Sequence, residues 1–273
     1  MVDFHTHSIH SVDGHDTVLD MCESAVQKGI SHLAITDHCD FGTNSVDKLG
    51  WFRYVADSEN LQEKFQIAKQ RYNGKLELLF GVEFGNAKWH PLICQYLTKK
   101  NHYDFILGAV HNVRHGRNIY RINFSEPKLL ELCWKEYFDE LDYIVNRSEF
   151  DSLAHLDYPL RVMEKAMPED SIRRYAYRVE PILKKLAERE KALEINTHGV
   201  THWEGRVGPE PWVLEMFRSL GGKYVTIGSD SHTAGGLASG FNEAVRVLKA
   251  AGFDTLTIYQ KREPESIPLT EYL

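Results

Sequence analysis

The chain has 273 residues, of which 42% are hydrophobic and 26% charged, a composition typical of a folded globular protein. Its formal net charge of −7 argues against a nucleic-acid-binding protein but leaves room for a local pocket that takes a small anion. No apolar run reaches the roughly 18 residues of a membrane segment, and the N-terminus leaves no room for a signal peptide. The four cysteines form no C-x-x-C pair, which is typical of free thiols. We therefore expect a cytoplasmic protein with no membrane segment.

Short β-branched or apolar segments alternate along the chain with segments of helical periodicity. The predicted strands are residues 2–5, 32–38, 77–84, 104–111, 150–155, 192–196 and 224–230. The predicted helices include 18–29, 171–190 and 238–252, and a short segment at 255–260 follows. This alternation predicts an α/β fold with a parallel sheet closed or nearly closed into a barrel, an open doubly wound sheet being the alternative. No linker divides the chain, so we expect one domain over residues 1–273.

Nearly every predicted strand ends in a residue that is able to bind a metal ion. His5 and His7 lie two residues apart, so on a strand both side chains point to the same side, and Asp230 and His232 repeat this spacing. Because the C-terminal ends of parallel strands share one face of a barrel, we expect these residues to meet in one pocket. The nine candidate ligands are His5, His7, Asp13, His38, Glu83, His111, His155, Asp230 and His232.

The candidate ligands are all imidazoles and carboxylates, a set that suits Zn²⁺, Mn²⁺ or Fe²⁺. A catalytic ion takes about three to five protein ligands, so nine candidates with one bridging carboxylate indicate three ions rather than one. Three divalent ions carry more positive charge than the carboxylates of Asp13, Glu83 and Asp230 neutralise. A phosphate monoester dianion is therefore the expected substrate.

The remaining polar residues near these segments are expected to have structural roles. Asp3 is expected to orient a metal ligand, and Asp16 to cap the first helix. His15 remains an alternative to Asp13. The isolated histidines, which end no predicted strand, are expected to be surface or core residues: His10, His32, His90, His102, His115 and His202.

Seven segments of the chain resemble, in order, the motifs of the polymerase-and-histidinol-phosphatase (PHP) family: DFHTHSIHSVDG, LAITDHCDF, GVEFG, GAVHN, AHLDY, EINTHG and TIGSDSH. The resemblance spans essentially the whole chain, and within the family it is greatest to the stand-alone histidinol-phosphate phosphatases. It implies a distorted (β/α)7 TIM-like barrel with three metal ions at the C-terminal ends of the strands. It also implies a ligand set for each ion, namely His5, His7, Glu83 and Asp230 for the first, Glu83, His111 and His155 for the second, and Asp13, His38 and His232 for the third.

The reaction implied by the resemblance is hydrolysis of L-histidinol phosphate to L-histidinol and phosphate, a step of histidine biosynthesis. Glu83 and Asp230 are the implied catalytic residues, and Asp230 or a neighbouring water would protonate the leaving alkoxide. The phosphate is expected to meet an arginine, whose planar fork matches its oxygens. The candidates for substrate binding are Arg161 first, then Arg117 and Arg206, together with His198. Loops that suit the imidazole and amine of histidinol contain Asp40, Phe41, Trp203 and Glu204.

Other classes of protein fit the sequence less well. An amidohydrolase usually needs a lysine at the end of the fourth strand, where this chain has His111. A haloacid-dehalogenase-type phosphatase needs a D-x-D motif after its first strand, and this chain has none there. A scaffolding domain often loses metal ligands, whereas all nine candidates are present here. A PHP phosphoesterase for phosphotyrosine, a sugar phosphate or a nucleotide remains open, because the ions recognise phosphate rather than the leaving group.

Overall fold

The computed structural model describes residues 1–42, 45–113, 117–124, 126–166, 172–202 and 205–272. The strands are β1 (Val2–Asp3), β2 (His32–Ile35), β3 (His38–Asp40), β4 (Glu77–Gly85), β5 (Phe105–Ala109), β6 (Asn112–Val113), β7 (Arg117–Asn118), β8 (Ser152–Leu153), β9 (Ala192–Asn196), β10 (Val225–Gly228), β11 (Thr255–Gln260) and β12 (Glu263–Pro268). The helices are α1 (Val18–Gln27), α2 (Ser45–Arg71), α3 (Pro91–Asn101), α4 (Pro127–Arg147), α5 (Leu160–Ala166), α6 (Ala176–Glu188), α7 (Gly199–His202), α8 (Pro211–Ser219) and α9 (Phe241–Ala250).

The main sheet is parallel and runs in the order β1-β2-β4-β5-β8-β9-β10, with β3 paired to the far end of β4. Its two outer strands also meet. The Phe4 N–H donates to the Ile227 carbonyl at 2.9 Å, and the Asp230 N–H donates to the His5 carbonyl at 2.7 Å. The sheet therefore closes on itself, which confirms the predicted distorted TIM-like barrel.

Buried apolar residues explain both kinds of element. β4 is buried from Leu78 to Gly85, the continuous pattern of a parallel strand covered on both faces. α9 shows the helical pattern, because Phe241, Ala244, Val245 and Leu248 are buried on one side. Among the described residues, no helix combines the length and the apolar character that a membrane crossing requires.

The hairpin of β11 and β12 covers the N-terminal end of the barrel. The Thr257 hydroxyl accepts from the Val225 N–H at 3.1 Å, and the Tyr259 hydroxyl donates to the Asp151 carbonyl at 3.2 Å. Arg262 donates two hydrogen bonds to the Asp151 carboxylate at 3.0 and 3.1 Å. The other end of the barrel, where the strands finish, is left for a functional site.

Two expectations about local structure were wrong. Several strands end earlier than predicted, so His5, His111, His155 and Asp230 follow their strands by two residues. The left-handed backbone at His155 (φ 23°) and Asp230 (φ 53°) shows that the chain turns away from the ladder there.

The cap of α1 also differs from the prediction. Its N-cap is Thr17, which forms a reciprocal capping box with Asp20, and not Asp16. The Asp16 carboxylate instead accepts from the Ala234 N–H at 2.7 Å and so ties the loop after β1 to the loop after β10.

Candidate metal centre

A cavity of about 420 Å³ opens where the barrel strands end. Many of the residues predicted to form the site line this cavity, and the predicted ligands His5, His7, Glu83 and His155 are buried next to them. The predicted site residues in its lining are Asp13, His38, His111, Arg161, His198, Asp230 and His232. The chain therefore brings together residues from β3 and from the segments that follow β1, β5, β8, β9 and β10.

The first group of metal-type side chains lies between the two ends of the sheet. The His5 Nε2 atom is 3.5 Å from Glu83 Oε1 and 3.6 Å from Asp230 Oδ1. The His7 Nε2 atom is 3.3 Å from the same Asp230 oxygen. His5, His7 and Asp230 thus present three ligand atoms close enough together to hold one ion.

The second group is centred on Glu83, whose side chain is fully buried in β4. One oxygen of Glu83 lies 3.2 Å from His111 Nε2 and 2.9 Å from His155 Nε2, and the other lies 2.7 Å from His38 Nδ1. The two nitrogens of His111 and His155 are themselves 3.3 Å apart. Each of the two carboxylate oxygens of Glu83 therefore lies close to imidazole nitrogens, as a bridging carboxylate requires.

The third group is a stack of imidazole rings. His7 lies between His38 and His232, with ring centroids 4.1 and 4.3 Å away. An oxygen of Asp13 is 3.4 Å from His232 Nε2 and 3.7 Å from His38 Nε2. His15 also lines the cavity, but its described contact is the backbone bond from its N–H to the His232 carbonyl at 3.1 Å.

The polar atoms of this cluster fit divalent metal ions. The Nε2 atoms of His5, His7 and His232 are buried and have no hydrogen-bond partner among the described residues. A buried polar atom left without a partner costs about 1–3 kcal/mol, which coordination to a cation removes. An imidazole and carboxylate set without thiolates suits zinc and similar transition metals.

The charges of the cluster perturb its acid–base chemistry. Burial would raise the pKa of Glu83, but His111, His5 and His38 hold it well below its ordinary value. Burial likewise opposes the low pKa of Asp230, which the neighbouring His5 and Arg161 cause. Burial lowers the pKa of His7, and the adjacent rings of His38 and His232 lower it further. Such shifts in one cleft are typical of a functional site.

Arg161 is the cation that the structure places beside this cluster. Its Nη1 atom is 2.8 Å from Asp230 Oδ2, its Nη2 donates to Asn196 Oδ1 at 2.9 Å, and its guanidinium lies 5.0 Å from the centre of the Tyr158 ring. Burial would lower the pKa of Arg161, but the Asp230 carboxylate raises it above its ordinary value. Further N–H donors of the guanidinium remain for a ligand in the cavity.

Sequence reasoning missed Glu194, which supports the metal-type residues from behind. Its Oε1 atom is 2.6 Å from His5 Nδ1, and its Oε2 accepts from the His155 N–H at 2.7 Å. A Cβ at Gly228 would lie 2.3 Å from the His5 Cβ and 2.5 Å from Glu194, so only glycine allows this approach. The signal was a glutamate within the apolar strand ALEIN, where burial of a charge is costly.

Asp3 was expected to orient a metal ligand, and it lies below the cluster with contacts to three backbone N–H groups and to the Ser229 hydroxyl at 2.6 Å. It accepts from the N–H of Ser229 at 2.9 Å, of Ala238 at 2.7 Å and of His5 at 3.4 Å. Burial raises its pKa to about 6 despite these bonds. Asp3 thus joins the segments that carry His5 and Asp230.

Only some of the other residues predicted to bind the substrate line the cavity. His198 lines the cavity, whereas neither Arg117, which is exposed, nor Arg206 is among the described residues of its lining. Asp40 is hydrogen-bonded to His111 Nδ1 at 2.8 Å, and Phe41 is buried. Trp203 and Glu204 lie outside the described residues.

His202 was expected to be a surface or core residue, and it is exposed, but it also lines the cavity next to His198. Their separation by four residues was the missed signal, because a helical turn brings such residues together, and here α7 begins directly after His198. The predictions that Glu83 and Asp230 act in catalysis, and that Asp230 protonates the leaving group, stay predictions.

Comparison with known proteins places this geometry in a family. Residues 3–198 match the PHP domain. The chain belongs to the PHP family. Two similar proteins are a probable histidinol-phosphatase of Thermotoga maritima, 29% identical with 96% of this chain and 97% of that protein covered, and a histidinol-phosphatase of Lactococcus lactis, 28% identical with 94% of each covered.

A solved structure extends the PHP comparison. It is the histidinol phosphate phosphatase of Lactococcus lactis in complex with zinc, L-histidinol and phosphate. The TM-score is 0.75 with 25% sequence identity, and 97% of this chain and 98% of that chain are covered. The PHP barrel described above is therefore similar over nearly its whole length to that of a metal-containing phosphatase.

Proposed function

We propose that this PHP chain is a metal-dependent phosphatase that hydrolyses L-histidinol phosphate to L-histidinol and phosphate. The observation that carries this conclusion is a buried imidazole and carboxylate cluster with Arg161 at its side, in a chain similar along its length to a phosphatase that binds zinc, L-histidinol and phosphate. The continuous barrel also supports our inference that residues 1–273 form one domain.

The cluster supports a centre of three divalent ions, with zinc, manganese and iron as the metals that its donors suit. We propose that nine residues would hold these ions: His5, His7, Asp13, His38, Glu83, His111, His155, Asp230 and His232. The short distances from Glu83 to three imidazoles support its role as the bridging ligand. Bound ions of this kind activate water and stabilise negative charge on phosphoryl oxygens.

The side chains around the cluster then have distinct tasks in the reaction. Arg161 binds phosphoryl oxygens, since its guanidinium carries a permanent charge and donors in a fork that matches them. Asp230 and Asn196 fix the guanidinium from two directions, so its orientation is set before the substrate arrives. Glu194 orients the His5 ring, and the buried setting excludes bulk water from the phosphate end.

A substrate panel tests this function. Phosphate release is measured with Mn²⁺ or Zn²⁺ for L-histidinol phosphate, tyrosine phosphate, sugar phosphates and nucleotides. The His7→Ala variant removes a proposed ligand, and His32→Gln is the matched control at the opposite end of the barrel. We expect the highest kcat/KM for L-histidinol phosphate, its loss in His7→Ala and its retention in His32→Gln. Weak and even turnover would contradict the substrate, and no turnover by the metal-loaded protein would contradict the phosphatase.

A further inference from the structure

One wall of the cavity carries no proposed metal ligand and is made by the segment that follows β9. His198, Thr201 and His202 line it, the last two from the short helix α7. The rings of His198 and His202 are stacked, with centroids 4.2 Å apart and planes within 9° of parallel. The wall is therefore an ordered aromatic surface within the same cavity as Arg161.

This wall is fixed relative to the phosphate end of the cavity. The His198 N–H donates to Asn196 Oδ1 at 3.1 Å, and the same oxygen accepts from Arg161 at 2.9 Å. The backbone of Asn196 is itself held by two bonds with Gly208, at 2.8 and 2.9 Å. The Thr197 hydroxyl contacts the carbonyls of Gly228 and Ser239, which ties the start of the wall to the loop after β10. Asn196 thus holds both Arg161 and the start of the wall.

The wall presents aromatic rings, and burial perturbs the acid–base chemistry of one of them. Burial lowers the pKa of His198 to about 4, since Asp230 only partly opposes this effect and Arg161 adds to it. A neutral ring does not repel a cationic ligand, and aromatic faces attract both cations and other flat rings. The Thr201 hydroxyl, 2.8 Å from His202 Nδ1, adds a polar group at the edge of the stack.

The dimensions of the substrate match the separation of the two ends of this cavity. About five bonds join the phosphorus of L-histidinol phosphate to its imidazole, a span of roughly 6–7 Å. The Arg161 guanidinium and the backbone N–H of His198 both donate to Asn196 Oδ1, so the start of the wall lies within this reach of the guanidinium. A phosphate at Arg161 leaves the other end of the molecule at the level of the wall.

The opposite wall offers less free aromatic surface. Tyr158 already packs against His155 at 4.8 Å, His111 at 5.0 Å and the Arg161 guanidinium at 5.0 Å. Tyr120 crosses Tyr158 at 80° and is half exposed. The surface that matches a flat heterocycle is thus the histidine pair.

We propose that the stacked pair His198 and His202 is the subsite that recognises the imidazole ring of the substrate and so determines specificity, an inference that rests on the proposed function. The metal cluster and Arg161 bind the phosphate group of the substrate, and this wall binds its imidazole ring. His202 provides the outer ring face of the stack, and His198 holds that ring in place from behind.

The test compares two substrates that differ in the imidazole alone. L-histidinol phosphate is measured beside L-alaninol phosphate, which has the same phosphate and amine but a methyl group as its side chain. In His202→Ala we expect kcat/KM for L-histidinol phosphate to fall roughly ten-fold, mainly through KM, with a change of less than about three-fold for L-alaninol phosphate. His202→Phe keeps an aromatic face and restores most of the loss.

A binding measurement separates recognition from turnover. Calorimetric titration of metal-loaded protein with L-histidinol is expected to show affinity about ten-fold lower in His202→Ala, with unchanged metal content and unchanged inhibition by inorganic phosphate. Tyr120→Ala tests the opposite wall, and Tyr177→Ala, whose side chain is 70% exposed outside the cavity lining, is the neutral control.

Each outcome has a distinct meaning. If the unaltered protein prefers L-histidinol phosphate and His202→Ala keeps that preference, the subsite is overturned while the proposed function stands. Loss of the preference in Tyr120→Ala alone would also overturn it. If the unaltered protein does not distinguish the two substrates, the proposed function itself fails. Loss of preference in His202→Ala with rescue by His202→Phe supports the subsite.

Discussion

Exchange of Glu194 for glutamine removes one negative charge next to His5 and leaves the size of the side chain unchanged. In the structure the carboxylate lies 2.6 Å from His5 Nδ1, while His5 Nε2 points to Glu83 and Asp230. A carboxylate can only accept, so it keeps the proton on Nδ1 and leaves Nε2 free as a metal ligand. Glutamine can also present an amide N–H, which favours the wrong tautomer.

The magnitude follows from the type of bond that is lost. A hydrogen bond to a charged group contributes about 1.5–3 kcal/mol and a neutral one about 0.5–1.5 kcal/mol. The exchange therefore removes about 1–2 kcal/mol from the affinity for metal, or about 5- to 30-fold in Kd. This agrees with the roughly 10- to 100-fold loss typical when the partner of a metal-bound histidine is removed.

The assay is a competitive titration with a chromophoric chelator, combined with elemental analysis of the dialysed protein. Glu215→Gln is the matched control, because Glu215 is exposed on α8 away from the cavity. We expect weaker metal binding in Glu194→Gln and none of this change in Glu215→Gln. Metal affinity equal to that of the unaltered protein in Glu194→Gln would refute the role of Glu194 in orienting His5.

Three further changes have defined outcomes. Arg161→Lys keeps the charge but cannot contact Asp230 and Asn196 together, so KM and the inhibition constant for inorganic phosphate are expected to rise about ten-fold, as measured by steady-state kinetics. Arg262→Ala leaves the buried Asp151 carboxylate with the longer contact to Lys191 Nζ, at 3.9 Å, in place of its bond to the guanidinium. The free energy of unfolding measured in urea is therefore expected to fall by about 2–3 kcal/mol, less than for a fully buried pair, since Arg262 is 24% exposed. Burial raises the pKa of the Cys22 thiol to about 12, so above pH ~9 the unfolded chain loses a proton that the folded protein retains. Stability should therefore fall with rising pH in denaturant titrations, and less steeply in Cys22→Ala, where an unchanged slope would contradict the assignment.

Periodicity was enough to predict an α/β fold with a parallel sheet and to favour a barrel over an open sheet, because the strands and helices bury their apolar residues in regular patterns. The continuous burial of β4 and the spaced apolar residues of α9 are visible in the sequence. The positions at which strands end were less accessible. His155 and Asp230 take left-handed backbone conformations that neither residue type requires, and tertiary contacts to the neighbouring strands impose them.

The metal-type residues of the site could be predicted because their spacing at strand ends is visible in the sequence. The role of a residue was harder to predict where its neighbours in the fold decide it. His5 and His7 stand out because of their spacing at the end of a strand. Arg161 could be ranked before Arg117 and Arg206 because it follows the predicted strand that ends at His155, but its partners could not be predicted. Only the path of the chain brings Arg161 to Asp230, and no local pattern contains that information.

Folding and metal binding are coupled in this cluster because its buried charges already compensate one another. Glu83 and Asp230 are buried, and the imidazoles that lower their pKa values are proposed ligands of the same ions. An ion entering the cluster therefore replaces internal contacts between imidazoles and carboxylates, and the net free energy of binding is smaller than the sum of the new bonds. Glu194 and Asn196 contact His5 and Arg161 and are not themselves proposed ligands, so we expect these contacts to persist when an ion binds. They therefore shape the site before any ligand binds.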